Sequence, residues 1–202
     1  TDEVNEGWKR QVGVTDSSDE NLVEILSLVD EYIEAMNLSQ SVRLRTAEIL
    51  MSAWEHGLFE GRQKEVVTAA GVYAAGRELQ EPRPLTNLSN AADVSESAVN
   101  NAYRLLIAEL ELPIPVSGPQ AYVTYVGQEL SLPSEVITEA ETALESGLGD
   151  GGNPAGIAAA VLYLLVDDCE SEVTLNEAGA AAGVSKETVW RNTQTLRDSG
   201  RE

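Results

Sequence analysis

The sequence contains few of the residues on which disulfide-linked proteins and zinc proteins depend. Its 202 residues include one cysteine, Cys169, and one histidine, His56. A single cysteine cannot form an internal disulfide, and its place in an apolar stretch predicts a small buried side chain in a reducing compartment. One cysteine and one histidine also exclude a zinc site built on these two ligand types.

Long apolar runs are absent as well. The longest, from Ile157 to Val166, has 10 residues, whereas a helix that crosses a membrane needs about 18 or more. This run therefore predicts a buried core helix, and we expect no membrane association.

Patterns typical of enzymes are missing too. Residues Gly149 to Gly152 include three glycines but no lysine and no preceding strand, so they do not form a phosphate-binding loop. His56 falls at the end of a predicted helix, where it favours a helix-end charge over a general base. Because no nucleophile has a base partner, the sequence predicts a protein that is not an enzyme and needs no cofactor.

Basic residues are scarce. The chain carries 34 acidic and 13 basic residues, for a net charge of −21. Taken alone, this balance argues against nucleic-acid binding, because contact with phosphates needs lysine and arginine. A halophilic habitat would account for it, since molar salt screens charges beyond about 3 Å.

The few basic residues are also unevenly placed. From Leu105 to Ser185 there is no lysine or arginine in 81 residues, although 13 acidic residues occur. Four basic residues then fall within the last 17: Lys186, Arg191, Arg197 and Arg201. This distribution predicts a basic last helix on an otherwise acidic segment.

An internal repeat organises the chain. Residues 57–106 align without a gap to residues 147–196, at an offset of 90, with 13 identities. Chance would give roughly three or four for ordinary composition. A repeat of this length indicates a duplicated structural unit.

Apolar periodicity predicts five helices in each repeat and no strands. Ser39 and Ser95 are the expected N-caps of the second and fifth helices, and Pro82 and Pro84 end the third. In the first repeat the helices are expected near 22–36, 40–57, 65–79, 85–92 and 96–110. In the second they are expected near 118–130, 134–146, 154–169, 175–182 and 186–198. The predicted organisation is a flexible N-terminal arm at 1–20, a first repeat at 21–112 and a second repeat at 113–202.

Five segments of the two repeats form a pattern that can be compared with known families. Those of the first repeat are Gly57-Leu-Phe-Glu-Gly-Arg62, Ala69-Ala-Gly-Val-Tyr-Ala-Ala-Gly-Arg77 and the stretch from Val94 to Leu106. Those of the second repeat are Gly156-Ile-Ala-Ala-Ala-Val-Leu-Tyr163 and Gly183-Val-Ser-Lys-Glu-Thr-Val189. In this order and spacing, these segments resemble the core of the archaeal transcription initiation factor B family, a relative of the eukaryotic general factor IIB. The resemblance implies an all-α fold, a tandem duplication of a five-helix cyclin-like bundle.

It also implies a function. In that family the core binds the complex of TATA-binding protein and promoter DNA, and a zinc ribbon, for which this sequence lacks the ligands, helps recruit RNA polymerase. The last two helices of the second repeat form a helix-turn-helix that reads the major groove beside the TATA box. The expected localisation is cytoplasmic, on the nucleoid of an archaeal cell.

The resemblance and the basic last helix together give the candidate site residues. Ser185 can cap that helix and leave N–H groups for a phosphate, while Lys186 and Arg191 supply charge. Thr188, Trp190 and Gln194 are the candidates for contact with base edges or sugars, and Arg104 falls on a basic position that could touch the DNA backbone. The expected contacts with the TATA-binding protein are Arg62, Arg43 and Arg45.

Several alternatives stay open. The arginines of the first repeat fit surface salt bridges equally well, and Trp190 fits packing within its own repeat. Where the family usually has a base-contacting arginine this chain has Trp190, and where it has a small apolar residue this chain has Glu187. These departures and the net charge favour a second function, a cyclin-type adaptor that binds only protein.

Overall fold

The computed structural model describes residues 17–145, 152–167 and 173–199, and every regular element in these ranges is an α-helix. The predicted all-α fold is therefore confirmed. The chain divides into two compact units, residues 1–115 and 116–202. Five described helices lie in each unit, as the repeat predicted.

The first unit contains α1 (Ser17–Ala35), α2 (Gln40–Glu55), α3 (Lys64–Glu78), α4 (Leu85–Ala91) and α5 (Glu96–Leu110). The predicted caps are present, since Ser39 Oγ accepts a hydrogen bond from Val42 N and Ser95 Oγ accepts one from Ala98 N, each at 3.3 Å. Helix α1 begins within the predicted arm, so residues 17–20 are helical; residues 1–16 lie outside the described ranges.

Helix α3 is the centre of the first unit and packs against the other four helices. Ten of its residues are buried, on nearly all sides of the helix, as its apolar sequence predicted. Gly71 lets α2 approach closely, because a Cβ at this position would lie 2.7 Å from Leu50 Cδ2. The remaining helices form the outer layer around α3.

The turn between α1 and α2 is held by a buried arginine. Arg83 donates to the carbonyl oxygens of Met36 at 2.8 Å and Asn37 at 2.7 Å. These are carbonyls that the end of α1 leaves without helical partners. Arg83 therefore stabilises the fold and is not available to a partner.

The second unit contains α6 (Gln120–Glu129), α7 (Ser134–Glu145), α8 (Pro154–Asp167), α9 (Leu175–Ala181) and α10 (Lys186–Ser199). Helix α8 packs against the other four and is the equivalent of α3. Its core residues Ala158, Ala159, Ala160 and Leu162 are fully buried. The predicted end of this helix at Cys169 lies outside the described ranges.

Candidate nucleic-acid interface

Helices α9 and α10 form a helix-turn-helix. Helix α9 begins with a capping box, in which Thr174 Oγ1 accepts from Glu177 N at 3.2 Å and the Glu177 carboxylate accepts from Thr174 N at 2.8 Å. The Glu177 carboxylate also accepts from the Thr174 hydroxyl at 2.8 Å. The two bonds that this carboxylate accepts, first that from the backbone N–H and then that from the hydroxyl, lower the pKa of the Glu177 carboxyl. The capping box fixes the start of a seven-residue helix that would be marginal alone.

Two glycines shape the turn between these helices. Gly183 has φ +62°, a left-handed conformation that glycine adopts without strain. A Cβ on Gly179 would lie 2.8 Å from Val184 O, so α9 packs directly on the turn. The turn runs over four residues, 182–185, and is the short glycine-containing connection typical of this motif.

Helix α10 has a packed face and an exposed face. Its N-terminus is capped by Ser185, whose Oγ accepts from Thr188 N at 3.3 Å. The packed face is buried in the core of the unit and consists of Val189, Thr193 and Leu196. Glu187, Trp190, Arg191 and Gln194 share the opposite side within about 100° of the helix surface.

Trp190 is the large apolar residue of the exposed face. Its side chain is 55% exposed, which excludes the alternative in which it packs in the core of its repeat. A tryptophan so exposed can lie against a partner, with its indole N–H as its single hydrogen-bond donor. The structure therefore places Trp190 on the exposed face of α10, and its contact with DNA stays a prediction.

Thr188 lies elsewhere. Its side chain is half-buried and points to α8, where Thr188 Cγ2 would be 3.3 Å from a Cβ on Gly156. Its hydroxyl lies 3.2 Å from Ser185 Oγ. The structure thus gives Thr188 packing and capping contacts and separates it from the exposed face to which the sequence assigned it.

The cations of α10 face solvent. Lys186 and Arg191 are exposed, and neither forms an ion pair with any residue in the described ranges. The spacing of Glu187 and Arg191 would allow an ion pair across one helical turn, but the structure does not form it. The charges of Lys186 and Arg191 therefore stay available to a polyanion.

The first unit repeats the helix-turn-helix geometry in α4 and α5. Asp93 corresponds to Gly183 in the alignment of the two repeats and, like it, has a positive φ, +52°. The exposed side of α5 carries Ser97, Asn101 and Arg104, and Arg104 forms no ion pair within the described part of the chain. Arg104 is therefore accessible, as the expected contact with the DNA backbone requires.

A groove of about 450 Å³ opens in the first unit between the start of α3 and α5. Arg62 lies at this groove, and its Nη1 donates to the carbonyl oxygens of Leu58 and Glu60 at 3.1 Å. Gln63 precedes α3 without a side-chain capping bond, so it leaves the first N–H groups of the helix without a side-chain acceptor. The lining residues are Arg62, Gln63, Val66, Ala98, Asn101, Ala102 and Leu105.

Sequence reasoning missed this groove, although the alignment of the repeats contains a signal for it. At an offset of 90, Val66 corresponds to Gly156, Ala98 to Thr188 and Ala102 to Asn192. In the second unit the glycine allows α10 to approach α8, and the larger side chains of α10 fill the space. In the first unit the small residues lie on α5 and the space stays open.

The other two candidate arginines of the first unit are engaged within it. Arg43 forms a bidentate pair with Asp30, which ties α2 to α1. Arg45 pairs at 2.9 Å with both Glu78, at the end of α3, and Glu48. The hydrogen bond to Glu78 is the main cause of the raised pKa of Arg45. Both side chains have the salt bridges that the sequence left open as an alternative.

The fold and this site define a class of protein, the helical proteins made of two similar repeats that each end in a helix-turn-helix. The chain matches the family described as the transcription factor TFIIB repeat over residues 19–109 and 114–198. It belongs to this family, whose members are not enzymes, and its described helices form two similar bundles of five helices each. The family assigned from the resemblance is therefore confirmed.

Curated relatives give the same family. The chain is 35% identical over 195 residues to the transcription initiation factor IIB of Methanocaldococcus jannaschii, covering 95% of this chain and 29% of the relative. It is 34% identical over 186 residues to the factor of that name from Sulfurisphaera tokodaii, covering 90% and 60%. It is 34% identical over 195 residues to the factor of that name from Methanococcus maripaludis strain C7, and the match covers 95% of this chain and 58% of the relative. The chain thus spans less than two thirds of the length of these relatives.

A solved structure of a viral cyclin from herpesvirus saimiri has a TM-score of 0.41 and 12% identity, over 94% of this chain and 87% of that one. A TM-score this low carries no weight for fold or function. Within the described ranges, none of the helices combines the length and the apolarity needed to span a bilayer.

Proposed function

We propose that this chain is the core of a general transcription initiation factor that binds the complex of TATA-binding protein and promoter DNA. The observation that carries the proposal is the exposed face of α10, where Trp190 and Arg191 lie together. Lys186 is exposed in the first turn of the same helix, and no other basic residue precedes it in the second repeat. The same proposal includes a role in the recruitment of RNA polymerase. The names of the relatives support this function.

The proposed DNA contact uses the second helix of the helix-turn-helix. An α-helix fits the major groove of B-DNA, and the residues near its N-terminus reach the base edges. Lys186 and Arg191 would neutralise phosphates, and the N-terminus of α10 at Ser185 would attract another. Trp190 and Gln194 would face bases or sugars, with Thr188 holding α10 against α8. Arg104 of α5 would contact the DNA backbone separately.

The proposed protein contact uses the groove at Arg62. An acidic loop of the TATA-binding protein would place a carboxylate near Arg62 and the uncapped start of α3, where the helix dipole favours negative charge. An apolar side chain of that loop would lie on Val66, Ala98 and Ala102. Arg43 and Arg45 would take part only if their ion pairs within the unit opened.

The remaining parts of the proposal concern the whole chain. We assign residues 1–20 to an arm, 21–112 to the first functional repeat and 113–202 to the second. The net charge of −21 indicates a halophilic archaeal source, in which salt screens the acidic surface, and the working place of the protein would be the nucleoid. Because the basic residues of the second repeat are concentrated on α10 and the rest of the repeat is acidic, the electrostatic attraction of DNA would orient this repeat with α10 toward the phosphates.

The test is a binding experiment with labelled TATA-box DNA and TATA-binding protein across a series of KCl concentrations. Wild type is compared with Lys186→Ala, Arg191→Ala and, as a control, Arg45→Ala, which removes a cation held in ion pairs with Glu48 and Glu78 in the first unit. Each loss on α10 should weaken the ternary complex on all DNA sequences and reduce the salt slope by about one counterion. If both α10 variants bind like wild type, the protein-only adaptor is the better function.

A further inference from the structure

Glu187 is an acidic side chain in the middle of the face that we assign to DNA. It is exposed, one turn before Trp190 and Arg191, and it forms no ion pair or hydrogen bond with any residue of the described ranges. A carboxylate in a first turn stabilises a helix, but Ser185 already caps α10. In the major groove Glu187 would face phosphates that repel it, unless a base offers it a donor.

The edges of the bases limit which donor that is. A carboxylate only accepts hydrogen bonds, and in the major groove only cytosine N4 and adenine N6 donate. Adenine presents its N7 acceptor beside the amine, and guanine and thymine present carbonyl oxygens, all of which repel a carboxylate. Cytosine is therefore the base whose edge fits Glu187. Trp190, one turn away, would exclude water from this contact and strengthen it.

We propose that Glu187 selects a cytosine in the DNA beside the TATA box, on the strand that α10 faces. The inference rests on the DNA contact proposed above. Glu187 is then a specificity residue. Because it is acidic, where a basic or apolar residue would suit a DNA-binding face, it would give this chain a promoter preference of its own. A keto base at that position would leave the carboxylate without a donor, which is costly in a desolvated contact.

The test is selection of DNA with randomised bases beside a fixed TATA box, using the full chain with TATA-binding protein. Wild type should prefer cytosine at one position by about tenfold. Glu187→Gln should shift that preference to adenine, because an amide can bond adenine N6 and N7 together. Glu187→Ala should lose the preference and bind sequences without that cytosine more tightly, since one charge that repels phosphate is gone.

Glu135→Gln is the matched control, because Glu135 is also an exposed carboxylate in the first turn of a helix of the second unit. It should select the same bases as wild type, and melts of all variants check that α10 folds. If wild type shows no cytosine preference, or Glu187→Gln selects the same base as wild type, this inference is overturned while the DNA contact stands. If wild type forms no ternary complex on any sequence, the proposed function is wrong and the inference falls with it.

Discussion

The methyl group of Thr188 lies 3.3 Å from the position that a Cβ on Gly156 would occupy, and Asn192 Nδ2 lies 3.2 Å from the same position. This contact holds helix α10 against the central helix α8. In the first unit the corresponding residues are Val66, Ala98 and Ala102, and a groove opens there instead. One exchange of small and large residues between two helices thus gives the two repeats different surfaces.

Gly156→Ala should destabilise the second unit by about 1 kcal/mol. The added methyl gains helix propensity of about 1 kcal/mol, but overpacking against α10 typically costs about 1–3 kcal/mol. Adding Thr188→Ser should restore part of the loss, because serine keeps the hydroxyl and removes the crowded methyl. Urea denaturation of the two single variants and the double variant measures this; additive losses would contradict the contact.

The arginines of the first unit should separate into two groups. Arg45→Ala should lower the stability by roughly 1 kcal/mol, because it breaks the ion pair with Glu78 that joins α2 to α3. It should leave binding of TATA-binding protein unchanged. Arg62→Ala should weaken that binding several-fold with little change in stability. Paired measurements of unfolding and ternary-complex affinity decide this, and equal binding losses in both variants would contradict it.

Trp190→Ala should change the free energy of unfolding by less than about 1 kcal/mol, because the side chain is more than half exposed. A buried tryptophan would cost about 3–5 kcal/mol. The affinity for promoter DNA should decrease, because the stacking or apolar contact that Trp190 makes with the DNA is lost. Thermal melts and DNA binding of the same preparation test both halves, and a large loss of stability would place Trp190 in the core after all.

Thermal stability should rise strongly between 0.1 M and 3 M KCl, because 34 acidic groups repel one another at low ionic strength. The exposed carboxylates Glu135 and Glu139 lie on a helix with no basic residue. Replacing both with glutamine should raise the midpoint in 0.1 M KCl and leave it nearly unchanged in 3 M. Equal midpoints for wild type at the two salt concentrations would count against a halophilic source.

The stability should fall between pH 10 and pH 12 through Tyr32. Burial, followed by the charges of Glu65 and Glu31, raises the pKa of Tyr32 to about 12, against about 10 in the unfolded chain. Because the folded state holds this proton more tightly, the stabilisation is fully present below pH 10 and is lost as the pH rises to 12. The loss is about 2–3 kcal/mol. Tyr32→Phe should not show this loss of stability between pH 10 and pH 12. The measurement is the free energy of unfolding from urea titrations at each pH, and curves that run parallel for the two proteins would contradict the prediction.

The helices and their ends could be read from the sequence because their causes are local. Apolar periodicity placed all ten described helices to within a few residues, and Ser39 and Ser95 cap the helices that they were expected to cap. The largest difference is at the start of α1, where polar residues 17–20 are helical. No apolar stripe marks that turn, so periodicity could not detect it.

The candidate site was only partly predictable. The uneven distribution of basic residues pointed to α10, and Ser185, Lys186 and Arg191 lie there as expected. Which residues share its exposed face depends on the packing of α10 against α8, and this packing turns Thr188 inward and Trp190 outward. The partners of Arg43 and Arg45 likewise come from other helices.

The sequence by itself therefore determined the all-helical duplication, the capped helix ends and, within the second repeat, the confinement of positive charge to its last 17 residues. These features follow from periodicity, side-chain hydrogen bonding and composition over neighbouring residues. Only the tertiary structure decided that Arg62 lies at a groove while Arg45 is held in ion pairs, and that Glu187 and Trp190 share one free face. Such outcomes depend on contacts like that of Gly156 with Thr188, between residues far apart in the chain, which local sequence patterns do not encode.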